Sequence, residues 1–134
     1  MSRRWTAVWA LCAGMALPAH DKHGKKHAPP AAAQLKNPAA GTKAELGKAS
    51  YERACGACHG NDGKAAAAAK TTPKPPKLAD AHMNTLKDGE IYWVITNGIG
   101  KTMPGFQAQL SDTERWQIVN YVRALAKGGA AHAH

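Results

Sequence analysis

Cys55-Gly56-Ala57-Cys58-His59 sets two thiols three positions apart, with an imidazole directly after the second. On one short segment that spacing lets the thiols meet the two vinyl groups of a porphyrin while the histidine points at iron, the C-x-x-C-H arrangement of covalent haem attachment. Two other uses of paired cysteines compete with it. A thioredoxin-like redox pair opens a helix after a strand in a βαβ unit, and no such unit is legible here. A structural zinc site needs a fourth ligand beside Cys55, Cys58 and His59, and His82 is the one histidine left between the two ends of the chain.

Haem iron held by a single histidine needs a sixth ligand, or else keeps an open position that invites small-molecule chemistry. Met103 and Met83 compete for that place. Met103 stands in Asn97-Gly98-Ile99-Gly100-Lys101-Thr102-Met103-Pro104-Gly105-Phe106, a glycine-rich loop with proline directly after the methionine, which brings sulfur to iron without helix constraints. Met83, in Ala81-His82-Met83-Asn84, lies in a segment of no clear type and reads equally as a packing methionine. Met103 is the stronger candidate.

Helices must position these residues, since strand signals are absent throughout. Thr42 and Glu45 are spaced as a capping box for a first helix leading into the cysteine motif, with Leu46, Ala49, Tyr51 and Ala54 available for packing. A second helix is expected from about Asp88 to Thr96, where Ile91, Val94 and Ile95 share a face and Asn97-Gly98 supplies a stop. The third is the clearest: Ser111 and Glu114 form a capping box, Ile118, Tyr121, Val122 and Leu125 recur at helical spacing, and Gly128 ends it. Leu78, Ile91, Ile95, Ile99, Phe106 and Leu110 are candidate walls of a pocket, or ordinary core.

At 134 residues the chain has room for one domain. Residues 1–19 run from Met1-Ser2-Arg3-Arg4 through an apolar stretch to Pro18-Ala19, the order of a secretory signal peptide. That stretch, Trp5 to Leu17, is shorter than the roughly 20 residues a bilayer span requires, so cleavage near Ala19 is expected rather than retention as an anchor. Cys12 leaves with the leader, and the two cysteines that remain allow no long-range disulfide framework. Residues 20–41 are His, Lys, Ala and Pro with hardly a large apolar side chain, the composition of a flexible tether. The folded part is expected over 42–127, and 128–134 reads as a disordered tail. His20, His23 and His27, with His132 and His134 at the far end, could collect a metal ion but read more simply as solvated basic ends.

A core of this size with one phenylalanine is a weak basis for independent stability, so something else should fill its centre. The formal charge of +9 loses two units with Arg3 and Arg4 and stays basic. Basic balance fits nucleic acid, a membrane surface or an acidic protein. Export, and the lack of an arginine-rich helix or aromatic platform, argue against nucleic acid.

Together these residues resemble the class I c-type cytochromes, in particular the short bacterial mono-haem kind, over about Ala44 to Ala126. The likeness rests on the helix into Cys55-Gly56-Ala57-Cys58-His59-Gly60, the stretch Pro75-Pro76-Lys77-Leu78, the Met103-Pro104 loop and a final helix carrying Tyr121. It implies an all-α fold of three or more helices around one covalent haem c, with Cys55 and Cys58 as its thioethers and His59 and Met103 as axial ligands. It further implies that the final helix crosses the first at Gly47 and Tyr51, and that a carbonyl of Pro75 or Pro76 holds the other ring nitrogen of His59. The run Ala65 to Ala69 and the lysine-proline stretch after it depart from the family pattern.

The function implied is a single-electron carrier, not an enzyme, in an exported electron-transport chain of the periplasm. Its partners would be redox proteins, an oxidase, reductase or dehydrogenase with an acidic docking surface, steered by Lys64, Lys70, Lys74, Lys77 and Lys101. Membrane contact is expected only if the leader is retained. Two alternatives stand beside it: a haem-based enzyme or ligand sensor with a displaceable methionine, and a haem-free metal-handling protein.

Overall fold

The computed structural model describes residues 28–67, 69–70 and 74–128. The expected signal peptide, the histidines of both ends and the C-terminal tail after Gly128 lie outside the described residues. Within them the architecture is all-α, as expected. Helix α1 spans Lys48–Ala54, α2 is the single turn Gly56–His59, α3 spans Asp88–Asn97 and α4 spans Asp112–Ala126. Short 3-10 turns occur at Pro30–Gln34, Ala44–Gly47 and Ala81–Thr85. Among the described residues the only ladder-like pairing is an isolated bridge between Ile99 and Met103.

Helix α4 forms as its sequence dictates. Ser111 Oγ accepts from the Glu114 amide and Glu114 accepts from the Ser111 amide, so two orphan donors of the first turn are satisfied reciprocally. Ile118, Tyr121, Val122 and Leu125 are all buried along the face that meets the rest of the molecule. Helix α3 likewise ends at Gly98, whose amide donates to Val94 O at 2.7 Å.

The first helix differs from its expected form. No side chain caps the turn Ala44–Gly47; Thr42 Oγ1 donates instead to Ala39 O at 2.8 Å. Leu46 is 54 % exposed, while Tyr51 is fully buried and packs on Tyr121 with ring centroids 5.0 Å apart. The reason is the close crossing of this segment over α4. A Cβ built on Gly47 would lie 2.1 Å from Gln117 O and 3.0 Å from Ile118 N, so the backbones touch where only glycine fits. Ser50 Oγ and Arg53 Nη2 both donate to Glu114, at 3.1 and 3.0 Å, and lock the crossing at the start of α4.

Residues 28–41, the described part of the segment expected as a flexible tether, pack on the domain. Ala32 is buried, and a Cβ on Gly89 would sit 2.0 Å from Ala32 O, so the 3-10 turn presses directly on the first turn of α3. Asn37 Nδ2 donates to Asp88 Oδ2 and Asn120 Oδ1, and Asn120 Nδ2 donates to Ala39 O at 2.7 Å. Composition missed this strap because it is held by amides and by the close approach of small residues, not by large apolar side chains.

Arg123 joins three parts of the molecule. Its Nε pairs with Asp88 Oδ1 at 2.8 Å, Nη1 donates to Met83 O at 2.6 Å, and Nη2 donates to Leu86 O. The stretch 81–86 is thereby fastened between α3 and α4. The core is one cluster in which Tyr51, Cys55, Met83, Ile91, Ile95, Phe106, Leu110 and the buried face of α4 meet.

Candidate cofactor site

Cys55 closes α1 and opens α2. Its carbonyl accepts from the amides of Cys58 at 3.2 Å and His59 at 2.9 Å, so a single helical turn carries both cysteines and the histidine. Both thiols are unpaired, Cys55 buried and Cys58 half-buried. Burial, with Cys58 adding to it, pushes the Cys55 thiol up to about 12. A thiol used for disulfide exchange needs the opposite shift, so the environment speaks against that reading.

His59 is 8 % exposed. Its Nδ1 lies 3.2 Å from Pro76 O, which settles which of the two prolines is involved. A carbonyl only accepts, so Nδ1 carries the proton and Nε2 keeps its lone pair. Among the described residues Nε2 has no hydrogen-bond partner. Burial lowers the His59 pKa and the Pro76 carbonyl raises it, the burial effect being the larger, so the ring is held neutral, the form that binds a metal.

The path after the motif, illegible in the alanine run, is fixed by two hydrogen bonds back onto it. Ala65 N donates to His59 O at 2.8 Å and Ala66 N to Cys58 O at 3.0 Å. Tyr51 Oη adds a third tie, donating to Gly60 O at 2.8 Å across the end of α2. Nothing in the spacing of Tyr51 announced that bond, which joins α1 to the residue that follows α2.

Both methionines pack on the core, in different ways. Met83 is 6 % exposed on its 3-10 turn, and its carbonyl is taken by Arg123. Met103 is half-buried against the core cluster, on a loop closed by Ile99 N donating to Met103 O at 2.9 Å and Met103 N to Ile99 O at 3.2 Å. Of the expected walls, Ile91, Ile95, Phe106 and Leu110 are buried, and Leu78 and Ile99 are half-buried. The core takes in Met83 as well.

His82, the proposed fourth zinc ligand, is exposed, with its backbone amide bound to Asp80. Among the described residues no group of three or more His, Cys, Asp or Glu is arranged to hold a metal ion. The zinc reading therefore lacks its ligand set there, and the terminal histidines lie outside the described residues. No described helix is long and apolar enough to cross a membrane.

Arg115 was not foreseen. It is 7 % exposed, lies over the Tyr92 ring at 5.1 Å and donates to Thr96 Oγ1 at 2.8 Å. Tyr92 in turn stacks on Trp116 at 4.0 Å. This cation and ring stack fastens the end of α3 to the start of α4.

Residues 42–122 match the family described as cytochrome c oxidase, cbb3-type, subunit III. Among solved structures, the chain is similar to KustC0563, a c-type cytochrome, at 29 % identity and a TM-score of 0.54, over 59 % of this chain and 95 % of that one. No curated protein matches. The strap at residues 28–41 lies ahead of the family match.

Proposed function

Because the chain belongs to the cbb3-type subunit III family of c-type cytochromes, we propose that it carries single electrons on one haem, which Cys55 and Cys58 would hold covalently and His59 and Met103 would hold at the iron. The observation that carries this reading is the setting of His59: buried, its Nδ1 against Pro76 O and its Nε2 unpartnered among the described residues, directly after two unpaired thiols. That donor set fits a covalent haem. Bound there, haem supplies a one-electron couple between ferric and ferrous iron.

The chain's own residues do the rest. Pro76 O fixes the tautomer and orientation of His59 and strengthens it as a donor. Met103 would offer the iron a thioether sulfur, a donor that favours the ferrous state and raises the potential. Ile91, Ile95, Phe106 and Leu110, buried in the same core cluster as Cys55, would keep water from the group. Lys64, Lys70, Lys74, Lys77 and Lys101 are all exposed and steer an acidic redox partner toward the edge of the ring. Family membership supports export to the periplasm, where such haems are attached.

Coordination is the property to measure. Chain expressed in a host able to attach haem should gain the mass of one macrocycle and show a six-coordinate ferrous spectrum indifferent to carbon monoxide. A five-coordinate ferrous haem that takes up the gas readily would overturn carriage in favour of ligand binding. In Met103→Ala the near-infrared sulfur-to-iron band should vanish and the potential fall; if both persist, the ligand is Met83 or another group.

A further inference from the structure

We propose that Gly98 and Gly105 form a clasp that presets the position of Met103 before any ligand bond is made, an inference that rests on Met103 being the sixth ligand. Gly98 ends α3 at φ +75° and ψ −175°, a conformation open to glycine and costly for other residues. A Cβ there would lie 2.3 Å from Met103 O, 2.6 Å from Gly105 N and 2.7 Å from Pro104 C. A Cβ on Gly105 would lie 2.5 Å from Thr96 O and 2.8 Å from Asn97 C. The two ends of the loop therefore meet backbone to backbone on the last turn of α3, and neither tolerates even a methyl group.

Ile99, Thr102 and Met103, between them, are tied to one another. Besides the paired bonds between Ile99 and Met103, Thr102 donates to Ile99 O through its amide at 3.2 Å and its hydroxyl at 3.1 Å. Past the clasp, Phe106 N donates to Ile95 O at 2.9 Å. The α3 turn that receives the loop is itself held by Arg115 on Thr96. Met103 thus has both backbone hydrogen-bonding groups satisfied and a proline directly after it, so its Cα has little freedom. The ordering cost of the loop is met by folding, and a comparatively weak sulfur ligand stays in place through both oxidation states because its carrier is already positioned.

Gly98, by contrast with Gly100, makes the distinction testable. Gly100 is in the same loop at positive φ, yet a Cβ on it would meet nothing within 4 Å. The holoprotein variants Gly98→Ala and Gly105→Ala should bind exogenous imidazole about tenfold more tightly than the parent, as expected when overpacking moves the loop. They should also weaken the near-infrared band and lower the potential. Gly100→Asn, whose side chain tolerates positive φ, should leave all three unchanged. Where a glycine variant fails to fold, Thr102→Val, which removes only the hydroxyl bond to Ile99 O, should show a smaller rise in imidazole affinity.

Parent-like imidazole affinity, band and potential in the clasp variants, or in Thr102→Val if those do not fold, would overturn the clasp. So would a fall in unfolding midpoint with native-state imidazole affinity unmoved, which marks a purely structural role. Failure of the ligand assignment is separately visible: Met103→Ala then keeps the band, and the clasp falls with it.

Discussion

Glu114 sits on the surface and still ties two helices together. The Ser111 amide holds its carboxylate first, then the Ser111 hydroxyl, Ser50 and Arg53, and together they bring its pKa from the ordinary 4.5 down to about 2. A carboxylate with a depressed folded pKa stabilises the fold above its unfolded value and loses that contribution as pH falls through its folded value. Denaturant midpoints should therefore be level above about pH 5 and decline between there and pH 2; in Glu114→Gln that part of the decline should disappear. The capping box was legible from Ser111 and Glu114 alone, because it is local. The grip of the same carboxylate on α1 was not, because Ser50 and Arg53 lie some sixty residues away. His59 divides in the same way. The proposal of a ligand role rests on its place after Cys58, whereas Pro76 as its partner needed the loop to be folded.

Among the elements, the crossing of the 44–54 segment over α4 and the strap at residues 28–41 carry the clearest consequences. Gly47→Ala forces a methyl into the Gln117 carbonyl, 2.1 Å away, and should destabilise the domain by about 1–3 kcal/mol, measured by denaturant titration of the holoprotein with haem coordination unchanged at low denaturant. Asn37→Ala leaves Asp88 and Asn120 each short of a donor and should cost about 1–3 kcal/mol while releasing the strap to limited proteolysis. An unchanged midpoint and cleavage pattern would show that the strap is held by Ala32 against Gly89 rather than by the amide network. Helices α3 and α4 were placed correctly by apolar spacing, since each buries one continuous face. The strap was misread because the composition argument weighs apolar bulk, and this contact is made by polar groups and by the absence of side chains.

At the scale of the molecule, basic charge and exposed lysines bear on encounter and not on fold. The formal charge is +9, and Lys64, Lys70, Lys74, Lys77 and Lys101 are exposed. Electron exchange with an anionic small redox reagent should slow by about tenfold or more between low and about 0.5 M salt, with a cationic reagent responding in the opposite sense. Rates independent of salt would reduce those lysines to a solvated face.

What the sequence determined by itself is whatever depends on neighbours along the chain: the spacing of Cys55, Cys58 and His59, the cap of α4, the apolar stripes of α3 and α4, and the glycine-rich setting of Met103. Tertiary structure alone decided whatever depends on neighbours in space. It chose Pro76 over Pro75 for His59, buried Arg115 against Tyr92, closed the Met103 loop on α3 through Gly98 and Gly105, and folded the strap onto the domain. The physical reason is the same each time: hydrogen-bond partners and close backbone approaches between distant segments leave no periodicity in the chain, and exist only once the helices have packed.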